Sequence, residues 1–196
     1  RRHTRFRNVT GVQTCALPIW SYDQHANDLN DQKSIVSVWE QVNARFPLHD
    51  LRWTLAHVPG IDVETLNRLK ALDAGVSIAG GRYLGQGNTT AQAGSPFRRM
   101  LESGIHVGYG SDGGTVAPIN PWLHMYYLVT GKNSAGELVE PKDQLLTRTE
   151  ALRVYTASQG WFTREEGTLG SIEPGKLADL VVLSDDLFDA KKVTDD

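Results

Sequence analysis

Three residues whose side chains can bind a metal ion follow predicted β-strands in this sequence. His25 and His57 each stand at the end of a predicted strand, and Asp112 follows a third. In parallel α/β folds, the carboxyl ends of the strands carry the chemistry. Two imidazoles and a carboxylate are a suitable ligand set for zinc or a similar divalent ion. A bound metal lowers the pKa of water to about 7, and a nearby carboxylate can take up the proton that is released.

Each of these residues also has a structural interpretation. A single histidine at the end of a strand more often makes structural hydrogen bonds than metal contacts. Asp112 could instead cap the following turn, because Gly113 and Gly114 favour an Asx-turn. Spacing alone therefore leaves both interpretations open.

Asp112 lies in a pattern of helix, buried strand and helix. The first helix is predicted over 96–103, with Ser95 as its N-cap and Gly104 as its stop. Apolar residues alternate with small ones in the strand that follows, and Asn120 caps the next helix. This alternation of helices and strands predicts an α/β fold.

The two histidines stand in the same kind of pattern. A helix is predicted from about Gln32 to Arg45, with one apolar stripe formed by Ile35, Val38, Trp39 and Val42. A strand leads to His57, Asp62 caps another helix, and 76–79 forms a further strand. The long loop after that strand matches no nucleotide-binding motif. We interpret it as a substrate-side loop in which Arg82 and Tyr83 contact the substrate.

The last part of the chain has its own signals. Thr147 and Glu150 form a capping box for a helix. Leu169–Ile172 and 178–183 read as two short strands around a turn at Pro174 and Gly175. The second of these is apolar throughout, so we expect an exposed apolar edge wherever its partner strands are missing.

The composition excludes some classes of function. The chain has 196 residues, 40% of them hydrophobic, and a formal net charge of −3. That charge gives no reason to expect nucleic acid or an acidic membrane surface as a partner, and no apolar run is long enough to span a bilayer. A small-molecule substrate is the partner we expect. The cytoplasm is the default location, and the sequence leaves open whether the chain forms a homo-oligomer.

Several longer motifs resemble one known family. GYGSDGG followed by APINPW, then TRTEALRVYT, GWF and LGSIEPGKLADLVVLSDD, resemble the C-terminal half of the amidohydrolase superfamily, in its YtcJ-like metal-dependent hydrolases. The resemblance runs from Trp20 to Leu187. It implies the C-terminal part of a (β/α)8 TIM-type barrel, strands five to eight, over 20–165. Residues 166–196 would then supply strands of a composite β-sandwich.

The length and the N-terminus suggest that this chain is a piece of a larger protein. A complete (β/α)8 barrel takes about 250 residues, so we expect a fragment. Residues 1–19 fit nothing that follows, and GVQTCALPI resembles a translated sequencing-adaptor artefact of metagenomic reading frames. The alternative is a genuine basic arm that touches an acidic partner. We expect this segment to be poorly ordered.

The resemblance also implies roles for the candidate residues. His25 and His57 match the metal-binding histidines of strands five and six, and Asp112 matches the aspartate of strand eight, a metal ligand and proton shuttle. HAND stands where many relatives have HA-x-GD, and the family's upstream His-x-His pair is absent. The other histidines, His49, His106 and His124, match no ligand position.

The implied activity is metal-dependent hydrolysis of carbon–nitrogen (non-peptide) bonds such as amides, most simply with zinc. Because the metal site is incomplete, we expect the isolated chain to lack useful turnover. Ester or phosphotriester hydrolysis on the same site stays open. The alternative from another class is a non-catalytic fragment, or a half-barrel that depends on a partner chain.

Overall fold

Four parallel strands form one sheet in this computed structural model, which describes residues 21–79, 94–114 and 117–189. The strands are β1 (Asp23–Ala26), β2 (Thr54–His57), β3 (Gly75–Ala79) and β4 (His106–Gly110). They lie in the order β1-β2-β3-β4, each hydrogen-bonded to the next in the chain. A parallel sheet with helical connections in sequence order is the architecture of a barrel segment. The predicted α/β class is therefore confirmed.

In the part of the chain that the structure describes, six α-helices connect and follow the strands. They are α1 (Leu29–Asn43), α2 (Val63–Ala71), α3 (Phe97–Ser103), α4 (Pro121–Thr130), α5 (Arg148–Tyr155) and α6 (Gln159–Thr163). The predicted caps Asp62 and Asn120 and the predicted capping box of Thr147 and Glu150 are all present. The predicted cap Ser95 is wrong: α3 follows Pro96, and no side chain caps it. The Ser95 hydroxyl instead donates to the main-chain carbonyl of His57.

Helix α1 packs three residues of its predicted stripe, Ile35, Trp39 and Val42, on the core, and only Val38 of that stripe is exposed. Its buried residues are Gln32, Val36 and Trp39, whereas Val38 is 55% exposed. The side-chain amide of the buried Gln32 donates to the carbonyl of Pro59 at 2.8 Å, whereas its Oε1 atom has no partner among the described residues. The buried stripe therefore includes Gln32 and Val36, which were not predicted, and excludes Val38.

The two faces of the sheet are packed differently. Leu55, Val76 and Val107 are buried in the main core, which the helices complete. On the other face, Gly75 and Gly108 leave room for the aromatic rings of α6. A Cβ atom added at Gly75 would meet Trp161 at 2.6 Å, and one added at Gly108 would meet Phe162 at 2.7 Å. Helix α6 therefore lies directly on the glycine-lined face of the sheet.

The two strands predicted near the C-terminus are absent. The structure has no strand between 166 and 189. A strand forms only when its backbone groups pair with a neighbour, and within the described part of the chain none lies beside this segment. Its apolar side chains stay exposed as expected: Ile172 is 87% exposed and Val182 is 95% exposed. Among the described residues, no helix is long and apolar enough to cross a membrane.

Candidate functional site

His25 and His57 meet at the carboxyl ends of adjacent strands. His57 is the last residue of β2 and pairs in register with Ala26, the residue after His25. The Nδ1 atom of His25 and the Nε2 atom of His57 are 3.0 Å apart. The ring centroids are 4.5 Å apart, and the ring planes are nearly perpendicular. The structure thus brings together two residues that are 32 positions apart in the sequence.

The backbone at His57 turns sharply to place its ring there. His57 has a φ of 70° and Val58 a φ of 41°. The N–H of Val58 donates to the carbonyl of Ala56 at 3.0 Å, which closes a three-residue γ-turn centred on His57. A positive φ is unusual for any residue with a side chain and is a clear outlier for a β-branched one. Backbone strain of this kind is concentrated at functional sites.

Asp112 lies in the turn beyond β4 and is exposed to solvent. Its φ is 50°. The Oγ atom of Ser111 accepts the N–H of Gly113 at 3.1 Å. The N–H of Gly114, which an Asx-turn at Asp112 would use, donates instead to the carbonyl of Ala117 at 3.1 Å. This leaves the Asp112 carboxylate available for another role.

The charge of Asp112 acts on His57, but its carboxylate does not form a three-ligand group with the two histidines. Its negative charge raises the pKa of His57 against two larger effects, which are the burial of the ring and the charge of His25. Among the described residues, however, only His49, Asp50 and Asp73 have potential ligand atoms that all lie within 4.8 Å of one another. The histidine pair is therefore assembled, while the Asp112 carboxylate lies farther out.

The protonation of His57 suits metal binding. Burial is the largest effect on this ring, and together with the nearby His25 it lowers the pKa of His57 below its ordinary value. A neutral imidazole keeps the nitrogen lone pair that a metal needs. Two imidazole nitrogens bound tetrahedrally to zinc at about 2.0–2.1 Å would be roughly 3.3 Å apart. The His25 and His57 nitrogens are 3.0 Å apart, which is the distance of a hydrogen bond between two neutral rings and is also close to that separation. The donor set therefore fits a divalent ion that would replace the shared proton.

Asp23 is a further acidic residue near the two histidines, and the sequence patterns did not single it out. It lies two residues before His25 on β1, so the two side chains point to the same face. Partial burial of its carboxyl group raises the pKa of Asp23, while the charges of His25 and His57 lower it. Asp23 also lines a cavity of about 280 Å³ with Thr54 and Ser77. Because alternate residues of a strand share a face, the spacing of two between Asp23 and His25 could have identified it.

The group of His49, Asp50 and Asp73 lies elsewhere. His49 and Asp50 precede β2 and Asp73 precedes β3, so the group is at the amino end of the strands. The Nδ1 atom of His49 is 2.9 Å from an Asp50 carboxylate oxygen and 3.9 Å from one of Asp73. The hydrogen bond to Asp50 raises the pKa of His49. This is an exposed ion-pair group and not the predicted site.

The remaining sequence candidates have other surroundings. The His106 ring stacks on Trp161 with 4.1 Å between ring centroids. His124 is fully buried, 2.6 Å from the carbonyl oxygen of Pro118 and 3.3 Å from the hydroxyl of Tyr109. Arg82 and Tyr83, predicted to contact substrate, lie outside the described residues.

Comparison with known proteins identifies a matching family and several relatives. Residues 12–195 match the model of a family described as the amidohydrolase family. The match begins at residue 12, inside the segment 1–19 in which GVQTCALPI resembles an adaptor artefact. A curated relative, the N-substituted formamide deformylase of Arthrobacter pascens, is 38% identical over 96 residues. That alignment covers 48% of this chain and 17% of the relative.

Solved structures share the fold at lower identity. An uncharacterised metal-dependent hydrolase from Pyrococcus furiosus matches with a TM-score of 0.67 and 22% identity, over 85% of this chain and 34% of that one. Atrazine chlorohydrolase TrzN from Arthrobacter aurescens, in complex with zinc, matches with a TM-score of 0.58 and 18% identity. This match covers 85% of this chain and 36% of the chlorohydrolase. The chain thus spans about a third of the length of these solved structures.

Proposed function

The chain belongs to the amidohydrolase family, and on that basis we propose that it forms part of a metal-dependent hydrolase that cleaves carbon–nitrogen bonds other than peptide bonds. The observation that carries this proposal is the 3.0 Å approach of the His25 and His57 ring nitrogens. The two rings meet at the carboxyl ends of the strands, which is where parallel α/β folds bind ligands and substrates.

His25 and His57 would hold the metal, with Asp112 as a further ligand from the turn after β4, two strands away from His57. The neutral state favoured at His57 supports this assignment. Zinc is the ion we propose, since a relative of this fold was solved in complex with zinc. A bound zinc ion supplies a Lewis acid and makes water acidic enough to act as a nucleophile near neutral pH.

Asp112 would move the proton in this reaction. Its carboxylate is exposed at the carboxyl end of β4 and is not used to cap its own turn. A carboxylate placed there can accept a proton from the attacking water and then donate it to the leaving nitrogen. The two transfers return Asp112 to its starting state, as a catalyst requires.

The substrate class we propose is an amide such as an N-substituted formamide. The support is the 38% identity to an N-substituted formamide deformylase over 96 residues, an alignment that covers 48% of this chain. Hydrolysis of such an amide breaks the bond between the carbonyl carbon and nitrogen and releases formate and an amine.

Zinc titration tests the metal site directly. We expect the chain to bind zinc in isothermal titration calorimetry, and His57→Ala to weaken that binding at least tenfold. The matched control is His49→Ala, which removes an imidazole from the only other candidate group among the described residues. If His49→Ala abolishes binding and His57→Ala leaves it unchanged, the proposed site is wrong.

A turnover assay tests whether the chain is active on its own. We expect this chain alone, supplied with zinc, to release no amine from an N-substituted formamide faster than zinc does in buffer. Should amine release exceed that background, Asp112→Asn is expected to lower the rate by about 10²–10⁴-fold, the usual contribution of a general acid–base. Turnover unaffected by Asp112→Asn would exclude the proposed role of Asp112.

A further inference from the structure

The main-chain carbonyl of His57 is held by a side chain from a distant part of the sequence. The hydroxyl of Ser95 donates to this carbonyl at 2.9 Å, and Ser95 is only 7% exposed. We infer that Ser95 is a positioning residue: its hydrogen bond holds the turn that aims the His57 ring at His25. This inference rests on the proposed function, which gives the orientation of His57 its purpose.

The turn needs such support because its backbone is strained. His57 and Val58 are consecutive residues with positive φ, and Val58 is β-branched and fully buried. Conformations of this kind persist only where the surrounding structure enforces them. Without an external restraint, relaxation of φ at His57 would swing its ring away from the Nδ1 atom of His25.

The segment that contains Ser95 attaches to the turn at a second point. The N–H of Gly60 donates to the carbonyl of Gly94 at 3.0 Å. Two hydrogen bonds in opposite directions therefore join residues 94–95 to residues 57–60. The pair fixes the distance between the two segments, and the Ser95 bond is the one that acts on His57 itself.

Gln32 restrains the same loop from the other side. Its side chain is fully buried and donates to the carbonyl of Pro59 at 2.8 Å. Gln32 lies on α1, which follows the strand that carries His25. The loop after His57 is thus hydrogen-bonded to α1 and to the segment before α3, and of these contacts only the Ser95 bond is made to His57 itself.

The test compares three serine variants of the full chain, each in a His49→Ala background. Ser95→Ala removes the hydrogen bond, and Ser95→Thr keeps a hydroxyl. Ser103→Ala is the control, because the Ser103 hydroxyl also donates to a main-chain carbonyl, that of Met100 at 2.7 Å, and in addition accepts the N–H of Ile105 at 3.3 Å. Zinc affinity is measured by calorimetry, and amide hydrogen exchange at Val58 and Gly60 is measured without metal.

We expect Ser95→Ala to weaken zinc binding and to speed exchange at Val58, each by roughly two- to tenfold, the factor that one hydrogen bond is worth. Ser95→Thr should restore both, and Ser103→Ala should change neither. Equal values for Ser95→Ala and the background protein would overturn the inference, as would equal losses in Ser95→Ala and Ser95→Thr. A Ser95→Ala chain that unfolds altogether would also overturn it, because the contact would then be a general structural one.

The design separates this inference from the proposed function. If His57→Ala leaves zinc binding unchanged, the metal site is wrong, and the exchange rates still decide whether Ser95 holds the turn. If His57→Ala abolishes binding while Ser95→Ala has no effect, the metal site stands and Ser95 has no positioning role.

Discussion

At the residue scale, the orientation of His57 depends on its positive φ and on the hydrogen bond that its carbonyl accepts from Ser95. The types of the two histidines and their places at strand ends were readable from the sequence, because parallel strands bring their carboxyl ends together. The positive φ of His57 and the hydrogen bond from Ser95 were not readable, since they depend on segments 38 residues apart. Ser95 looked like a helix cap because serine is favoured at caps. The tertiary contact to His57 overrode that local preference.

The glycines of β4 differ in a way that a pair of substitutions can measure. A Cβ atom at Gly108 would lie 2.7 Å from one Phe162 ring carbon and 3.1 Å from two others, whereas one at Gly110 would meet nothing within 4 Å. We expect Gly108→Ala to lower the free energy of unfolding by about 1–3 kcal/mol through overpacking. The measurement is urea denaturation followed by circular dichroism.

Gly110→Ala is the control for this prediction, because it makes the same chemical change on the same strand in open space. It should alter stability by less than about 0.5 kcal/mol. Combining Gly108→Ala with Phe162→Leu should cost less than the sum of the two single changes. Strict additivity would show that α6 does not pack on this glycine.

At the scale of the elements, patterns confined to one helix were predicted well. The caps at Asp62, Asn120 and Thr147 follow from local hydrogen bonding, and each is present. The buried face of α1 was predicted less well, because burial of Gln32 requires the Pro59 carbonyl as a partner. The two predicted C-terminal strands are absent for a related reason. Apolar composition favours a strand, but the segment becomes one only when it pairs with a neighbouring strand.

Helix α5 is joined to α3 by an ion pair with a predictable pH dependence. The Arg98 guanidinium donates to both carboxylate oxygens of Glu150, at 2.6 and 2.8 Å, and lowers the pKa of Glu150 to about 2. Because the folded pKa is depressed, this carboxylate stabilises the protein above its unfolded pKa of about 4.5. The stabilisation is lost as the pH falls from there toward 2.

We therefore expect Glu150→Gln to lower the free energy of unfolding by about 1–3 kcal/mol at pH 7. The difference from wild type should shrink steadily between pH 4.5 and pH 2. Denaturant titrations across this range provide the measurement. Glu165→Gln, the same change at an exposed residue, should leave stability nearly unchanged at every pH. A Glu150→Gln difference that stays constant with pH would show that the ion pair is not its source.

At the scale of the whole molecule, apolar surface is divided unevenly along the chain. The strands and helices bury a continuous core, whereas the segment from Ile172 to Phe188 leaves its large apolar side chains in solvent. Apolar segments of high β-propensity that lack a partner strand favour association between chains. The fold of the sheet region and the solubility of the chain should consequently respond to different substitutions.

Val182→Asp tests this separation. Val182 is 95% exposed, so adding a charge there should not disturb packing, and the melting temperature should stay within about 2 °C of wild type. Aggregation measured by light scattering at equal protein concentration should fall, because the charge opposes pairing of this segment with another chain. Val38→Asp is the matched control: Val38 is 55% exposed on α1, outside the apolar segment, and its replacement should leave aggregation unchanged. If Val182→Asp lowers the melting temperature by several degrees, the segment is packed against the rest of the protein. If both variants reduce aggregation equally, net charge and not this segment controls solubility.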